Sequence, residues 1–378
     1  MQYEFEQGPI RPPSEAGSLL LRFTRNCPWN KCGFCRVYKN RQFSRRPLEE
    51  IKADIDTVRA IIDDLKQLSR KKGLGGGLNR EVLHLALTGF GYSEQYRHVA
   101  AWACRGQGTV FIQDANSLIM STEDLAAALT YLRERVPGVI RVTCYARSNT
   151  VSRKSVEELQ TLRRAGLDRV HIGMESGSDK VLKLIRKGAG SKHHIEAGQK
   201  VKQSGLTLSE YIMPGLGGRE LSRDHALETA RVLNAIDPHF IRLRTLRVIP
   251  GTQLQEMLSN DEFELLDDDE TVREIRLLIE NLEGITSTLT SDHIMNLLEE
   301  VQGTFPRDKA KMLKTIDDYL DLPEADRLLF RLGRRGGALR STRDLMDPAV
   351  RSRLEQARTE LEADHGSDLE TIITEMGN

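Results

Sequence analysis

Two hydrophobic periodicities alternate along the chain from residue 18 to about 250. Strand-like runs fall at Ser18–Thr24, Thr109–Ala115, Val139–Ala146, Arg169–Glu175, Thr207–Met213 and Phe240–Leu246. Between them, apolar positions recur every three or four residues. In Pro47–Lys66 they are Leu48, Ile51, Ile55, Val58, Ile62 and Leu65, and Thr122–Arg135, Lys154–Ala165, His193–Ser204 and Ser222–Ile236 follow the same rule. Gly166, Gly205 and the Pro137–Gly138 pair stop helices where the next strand should begin. Six strands alternating with helices predict βαβ units and a parallel sheet.

The pattern also marks boundaries. Residues 1–17 read as an N-terminal arm and 18–255 as the core. Within the core, 70–108 reads as an irregular insertion. Its GLGGG run at 73–77 lacks the Gly-Lys-Ser/Thr ending of a phosphate loop and reads as a linker. From the acidic stretch Asp261–Glu270 onward only helical periodicity remains, so 256–378 is expected to be a helical C-terminal subdomain.

Composition narrows the class. Lysine plus arginine equals aspartate plus glutamate, 55 each, which argues against general nucleic-acid binding while leaving local patches open. No apolar run approaches the roughly 18 residues that span a bilayer. The opening MQYEFEQGPIRPPSE has no apolar core behind a basic head, unlike a signal peptide. Three of the five cysteines fall within nine residues, which fits a reducing compartment and a metal site better than a disulfide framework. A cytoplasmic location with no membrane partner is the expectation.

Cys27, Cys32 and Cys35 stand in a C-x4-C-x2-C spacing directly after the first strand, within Asn26-Cys27-Pro28-Trp29-Asn30-Lys31-Cys32-Gly33-Phe34-Cys35. Thiolates are the usual ligands of iron–sulfur clusters, and three of them leave one iron of a cubane open to a small molecule. The competing reading is a structural zinc site. That needs a fourth cysteine or histidine, commonly in a second pair, and no other C-x2-C or H-x3–5-H pattern occurs. Cys104 and Cys144 are isolated and read as packing residues.

With Phe34 before its last cysteine, this segment resembles the cluster motif of the radical S-adenosylmethionine (SAM) superfamily, whose usual spacing is C-x3-C-x2-C. The flanking RPPSEAGSLLLRFTRNCPWNKCGFC is similar to a group of bacterial and archaeal members of that superfamily. More distantly, the chain resembles the Elongator catalytic subunit, the tRNA methylthiotransferases and oxygen-independent coproporphyrinogen oxidase. The resemblance covers about residues 15–255. It implies an α/β fold, a partial (β/α)6 TIM-like barrel, here with an all-helical C-terminal extension. It implies a [4Fe–4S] cluster on Cys27, Cys32 and Cys35 that reductively cleaves S-adenosyl-L-methionine to a 5′-deoxyadenosyl radical. It also implies an acidic electron carrier such as flavodoxin or ferredoxin. Barrel sites of this kind lie at the C-terminal ends of the strands.

Further residues follow by position in the family's motifs. Gln113, Asp114 and Asn116 end the second strand, where relatives bind the methionine amino group. Glu175 closes the fourth strand, placed to accept from ribose hydroxyls, with Ser178 capping the next helix. Lys187 falls where relatives place a cation for the methionine carboxylate. Met213, Pro214 and Gly215 resemble the segment against adenine.

Alternation adds what the resemblance does not. Ile140, Val142, Cys144 and Ala146 share one face of the third strand; Arg141, Thr143, Tyr145 and Arg147 share the other. Arg242 and Arg244 oppose Ile241 and Leu243, and His171 and Glu175 oppose Val170, Ile172 and Met174. Helices cover a barrel's outside, so the polar faces should line the lumen. Buried arginine demands a partner. Arg141, Arg242 and Arg244 are therefore assigned to a substrate carboxylate or phosphate, and Arg147, nearest the strand end, to the cofactor's carboxylate. Tyr145 and His171 would flank the reacting carbon as proton or hydrogen donors, or as walls. The alternative for these charges is mutual pairing or a solvated rim.

Leu21–Arg46 carries eight lysines and arginines and no carboxylate, interleaved with Trp29, Phe34, Tyr38 and Phe43. Such a stretch suits a solvated loop, a docking face for an acidic carrier, or a track for RNA phosphates. A small anionic molecule is the first expectation for the substrate and RNA the second. Two further alternatives are a non-enzymatic haem or cluster carrier related to the coproporphyrinogen oxidase branch, and a zinc-stabilised binding module.

Overall fold

The computed structural model describes residues 3–89 and 91–365. The chain divides into two compact units. One comprises 1–30, 37–172 and 196–208, the other 31–36, 173–195 and 209–378.

In the first unit, β1 (Leu19–Arg22), β2 (Thr109–Gln113), β3 (Arg141–Ala146) and the beginning of β4 (Arg169–Glu175) pair in chain order, every pair parallel. The register sets Leu20 beside Phe111, Phe111 beside Thr143, and Tyr145 beside His171. The helix Leu48–Lys71 buries Ile51, Ile55, Val58, Ile61, Ile62 and Leu65. Each such side chain contributes about 1.5–3 kcal/mol relative to exposure. Cys144 is buried and its neighbours on that face, Val142 and Ala146, are buried with it, as packing residues are. Ile140 departs from its expected place: it precedes the strand and is 70% exposed.

Residues 70–108 are not irregular. They hold helices Arg80–Thr88 and Glu94–Arg105, capped by the side chains of Asn79 and Ser93. Buried Val82 and Ala86, then Tyr96, Val99, Ala100 and Trp102, carry the three-to-four spacing. The polar residues crowding it obscured the pattern. The glycine-rich turn before them is also no loose linker. Buried Ser69 donates to the carbonyls of Leu74 and Gly77 and folds the turn onto the end of the preceding helix.

The N-terminal arm is bound tightly to this unit. Gly8 and Ile10 exchange backbone hydrogen bonds with the Gln113 side chain. Glu6 pairs with Arg22, Arg25 and Arg46.

In the second unit, β5 (Thr207–Ile212, here from Ser209), β6 (Phe240–Leu243) and β7 (Thr288–Thr290) run parallel, and β8 (Gly303–Thr304) pairs antiparallel with β7. Parallel strands in chain order, with helices between them, are the α/β pattern of a TIM-like partial barrel. Beyond residue 255 the chain is mainly helical, with Gln253–Ser259, Asp268–Glu280, Lys309–Leu320, Glu324–Arg335 and Pro348–His365. It is not all helical, because β7 and β8 lie there. The Thr288-Leu289-Thr290 alternation satisfies the hydrogen bonds of β6 at what would otherwise be a bare edge. No helix among the described residues is long and apolar enough to cross a membrane.

Candidate active site

Each unit contributes expected site residues. In the first, Cys27 follows a short hairpin strand, Thr24–Arg25 paired with Ser44–Arg45. Asn26 and Asn30, on either side, adopt left-handed backbone (φ 66° and 48°), which asparagine tolerates better than most residues. Their side chains donate to the carbonyls of Gln42 and Tyr38, and Asn30 N–H points at Cys27 Sγ at 3.4 Å. The Arg147 guanidinium lies 5.1 Å from the Trp29 ring.

The three residues at the end of β2 are committed to internal partners. Asp114 is fully buried. Its Oδ2 accepts from Arg22 Nη2 at 2.5 Å, Arg22 Nε at 2.8 Å and Asn26 N–H at 2.9 Å. Gly8 packs so closely on Asp114 that a Cβ there would come within 2.1 Å of Oδ1. Burial, and then the Asp114 charge, push the nearby Tyr38 hydroxyl far up. Gln113 holds the arm, and Asn116 bonds Thr150 Oγ1 and the Arg147 N–H. These residues shape the strand end, and a ligand ammonium would have to share Asp114 with Arg22.

Phe111, Tyr145 and His171 form an aromatic group on the polar faces of β2, β3 and β4. Ring centroids are 5.1 Å apart for Phe111–Tyr145 and 5.8 Å for Tyr145–His171. His171 is fully buried, so its surroundings are protein. Its Nε2 lies 3.6 Å from Glu15, itself fully buried. Glu15 also accepts from Ser18 Oγ at 2.6 Å and Arg141 Nη2 at 3.1 Å. Burial alone would raise the Glu15 carboxyl. Hydrogen bonding from His171 and Ser18 and the charge of Arg141 outweigh burial and hold it at about 2. The expectation of few counter-charges therefore fails at Arg141. Arg141 is thus neutralised by Glu15 of the N-terminal arm and does not join a substrate-binding set.

In the second unit, the loop 31–36 carries Cys32 and Cys35, both partly exposed. It is anchored through Gly33, whose N–H donates to Ile185 and whose carbonyl accepts from Leu254. Phe34 packs on a core of Val181, Ile185, Leu216, Leu246, Leu254 and Phe263. Lys187 Nζ lies 5.8 Å over the Phe34 ring and 2.8 Å from Glu175 Oε1. Glu175 has left-handed backbone (φ 65°), and a Cβ on Gly173 would come within 2.3 Å of its Oε1. Only glycine leaves room there for the Glu175–Lys187 pair. Fully buried Glu210 lies in their field; burial first, then the Glu175 charge, raise its carboxyl well above the usual range.

Arg242 and Arg244 are buried and share one carboxylate. Asp292 Oδ1 is 2.7 Å from Arg244 Nη1 and Oδ2 is 3.2 Å from Arg242 Nη1. Arg242 also bonds Ser209 Oγ, and Arg244 stacks 5.0 Å from the Tyr211 ring. Arg244 Nη2 is buried and makes no hydrogen bond. Beside them, burial and then the Arg244 charge lower His293 to about 4. Glu15, Asp292, Glu210 and His293 are the residues that sequence reasoning missed. Asp292 and His293 follow β7, in a stretch read as helical, and the Thr-rich alternation before them was the available signal.

The donor set at the cysteines fits a cluster. All three are partly exposed, as is Cys104, whereas Cys144 is buried. Among the described residues, no three His, Cys, Asp or Glu side chains converge closely enough to hold one metal ion. A cubane makes no such demand, since each thiolate binds a different iron.

One family model matches part of the chain. Residues 94–231 match the family "Radical SAM superfamily", a span that lies after the cysteine segment. A tRNA uridine(34) acetyltransferase of Methanocaldococcus infernus is 30% identical over 122 residues, covering 32% of this chain and 23% of that protein. The chain spans under a quarter of the length of this relative and of its Methanocaldococcus jannaschii counterpart. Among solved structures, the archaeal Methanocaldococcus infernus Elp3 aligns at 22% identity and TM-score 0.39, covering 49% of this chain and 48% of that one. Methylornithine synthase aligns at 14% identity and TM-score 0.43, covering 88% and 85%. Residues 94–231 thus match the radical SAM superfamily, whose members are enzymes that use a [4Fe–4S] cluster and S-adenosylmethionine as cofactors.

Proposed function

We propose that this radical SAM enzyme acts on a substrate carrying a carboxylate or phosphate, bound at Arg242 and Arg244. The observation that carries the reading is the shared counter-ion: two buried guanidinium groups, one partly exposed carboxylate, and an unpaired Nη2 on Arg244. Burying such an excess of charge is costly unless an anion joins it. Arginine's planar fork suits an oxyanion, and a water-poor lumen strengthens the pairing. Asp292 then serves as the internal counter-ion that the substrate shares or displaces.

Cys27, Cys32 and Cys35 would hold the cluster. When bound, the cluster and S-adenosylmethionine supply a 5′-deoxyadenosyl radical. The chain's own residues orient and exclude water. Lys187, already charge-paired, offers its ammonium to the cofactor's carboxylate, and Glu175 accepts from ribose hydroxyls. Met213, Pro214 and Gly215 lie along the adenine.

The test uses anaerobically reconstituted protein and fractions of a metabolite extract. Arg244→Gln should retain uncoupled 5′-deoxyadenosine formation and lose stimulation by the active fraction. A charge-assisted hydrogen bond is worth ~1.5–3 kcal/mol, so ten- to hundredfold more substrate should be needed. Asp292→Asn should shift the requirement the other way. Stimulation by a neutral molecule, unaffected by either change, would sink the reading.

A second reading, action on tRNA, is favoured by the names of the archaeal relatives. Three of the eight basic residues in Leu21–Arg46 (Arg22, Arg25 and Arg46) are spent on internal ion pairs. Lys31, Arg36, Arg41 and Arg45 remain exposed. They would meet RNA phosphates, or an acidic electron carrier. Under the RNA reading, filter-bound tRNA should fall away with rising salt and with Lys31→Glu and Arg36→Glu. Failure to retain tRNA even at low salt removes it.

A further inference from the structure

The loops that follow β4 and β5 are joined by a buried polar chain that the assignments above leave unused. Ser178 N–H donates to Ser176 Oγ at 3.0 Å, and that oxygen stands 2.8 Å from His225 Nδ1. The other ring nitrogen, Nε2, lies 3.7 Å from Glu274 Oε1. The same carboxylate oxygen accepts Gly215 N–H at 2.7 Å, and Oε2 accepts the Ser222 hydroxyl at 2.6 Å. His225 comes from the helix Gly218–Ile236 and Glu274 from Asp268–Glu280. Ser176, His225 and Glu274 are 0%, 2% and 4% exposed.

A Ser–His–Glu series invites comparison with a hydrolytic triad, but a nucleophile must meet its substrate. Ser176 Oγ is buried and already accepts a backbone N–H. The hydrogen-bond directions point to another use. Since Ser176 Oγ already accepts Ser178 N–H, its O–H is placed to donate to His225 Nδ1, and Nε2 faces Glu274 Oε1 across 3.7 Å. The chain ends at two backbone N–H groups, Ser178 after β4 and Gly215 after β5. Gly215 has left-handed backbone (φ 85°), as does Glu175 just before Ser176. At Glu175, a non-glycine residue, that conformation persists only where the surroundings hold it, whereas glycine adopts it freely. The helix carrying His225 also takes Gly177 N–H on Thr229 Oγ1 at 2.9 Å, so it grips the β4 loop twice.

We infer that His225 is a positioning residue for S-adenosylmethionine, holding the β4 loop and the β5 loop in mutual register through Ser176 and Glu274. This rests on the proposed placement of ribose at Glu175 and adenine at Met213–Gly215. Loss of His225 detaches one loop from the other while leaving Cys32, Cys35 and their loop contacts intact.

The experiment compares wild type with His225→Ala, Ser176→Ala and His225→Gln after anaerobic reconstitution. For His225→Ala, the Kd for S-adenosylmethionine by calorimetry should rise about tenfold, with cluster absorption unchanged. KM for S-adenosylmethionine should rise by the same factor while kcat for uncoupled 5′-deoxyadenosine formation stays within about twofold. His225→Gln, whose amide N–H can still reach Glu274, should recover part of the loss. Ser176→Ala, a smaller change that keeps the fold if His225→Ala does not, should weaken binding in the same sense. A His225→Ala or Ser176→Ala protein that keeps its cluster and the wild-type Kd overturns the inference. Glu175→Ala and Lys187→Ala separate the two levels: if these also leave Kd unchanged, the proposed cofactor placement falls, and if they alone weaken binding, only the role of His225 does.

Discussion

Cys35→Ala is expected to abolish both the ~400 nm absorption of anaerobically reconstituted protein and all 5′-deoxyadenosine formation, and Cys27→Ala and Cys32→Ala should do the same. The proposed cubane has three thiolate ligands, so losing one leaves two irons without a protein ligand. No other cysteine can substitute. Burial pushes the Cys144 thiol far up, so it stays protonated inside the core, and burial also raises Cys104. Only the thiolate is a metal ligand. Cys104→Ala and Cys144→Ala should therefore keep both signals, with Cys144→Ala costing stability through a small cavity. Residual S-adenosylmethionine cleavage by Cys35→Ala would show that the ligand assignment is wrong.

Glu15→Gln should produce the largest stability loss of any single change in the N-terminal arm, about 3 kcal/mol at neutral pH. Glu15 is fully buried and its carboxyl is held at about 2 against an ordinary 4.5. A shift of that size corresponds to about 3 kcal/mol, at ~1.4 kcal/mol per pH unit. The folded carboxyl is depressed, so its stabilisation is fully present above the unfolded value near 4.5. It disappears as pH falls toward 2. Urea unfolding of the cluster-free protein between pH 7 and pH 2 would measure both points. Glutamine keeps the shape and removes the charge, leaving Arg141 and His171 without their anion. The variant should be less stable at neutral pH and should lack this part of the acid limb. Parallel stability–pH curves for the two proteins would refute the account of Glu15.

The cysteine motif was legible because it is local. Cysteines proposed to reach one cluster from one loop have to be close in sequence, and Phe34 beside them packs against the core. The strands and most helices were legible for a related reason. A strand buried against helices shows its period over six or seven residues, as β4 does in Val170, Ile172 and Met174. A helix packed on a sheet shows its own, as Leu48–Lys71 does. Polar faces were legible too: Arg141, Tyr145, His171, Arg242 and Arg244 do share faces opposite the apolar residues of their strands.

What those polar residues touch was not. Each pairing that changed the reading joins positions far apart in sequence: Arg22 with Asp114, Arg141 with Glu15, Arg242 and Arg244 with Asp292, His225 with Glu274. Periodicity reports whether a side chain is buried, because burial is imposed by the element's own geometry. It does not report a charge's partner, because the Coulomb energy depends on a distance that only the fold creates. The sequence by itself determined a three-cysteine motif on a parallel α/β framework, both written in local spacing. Only the tertiary structure decided that Arg141 is already neutralised, that Arg242 and Arg244 share one carboxylate, and that the β4 and β5 loops are linked through His225. A counter-ion is chosen by proximity in space, and the chain order carries no record of it.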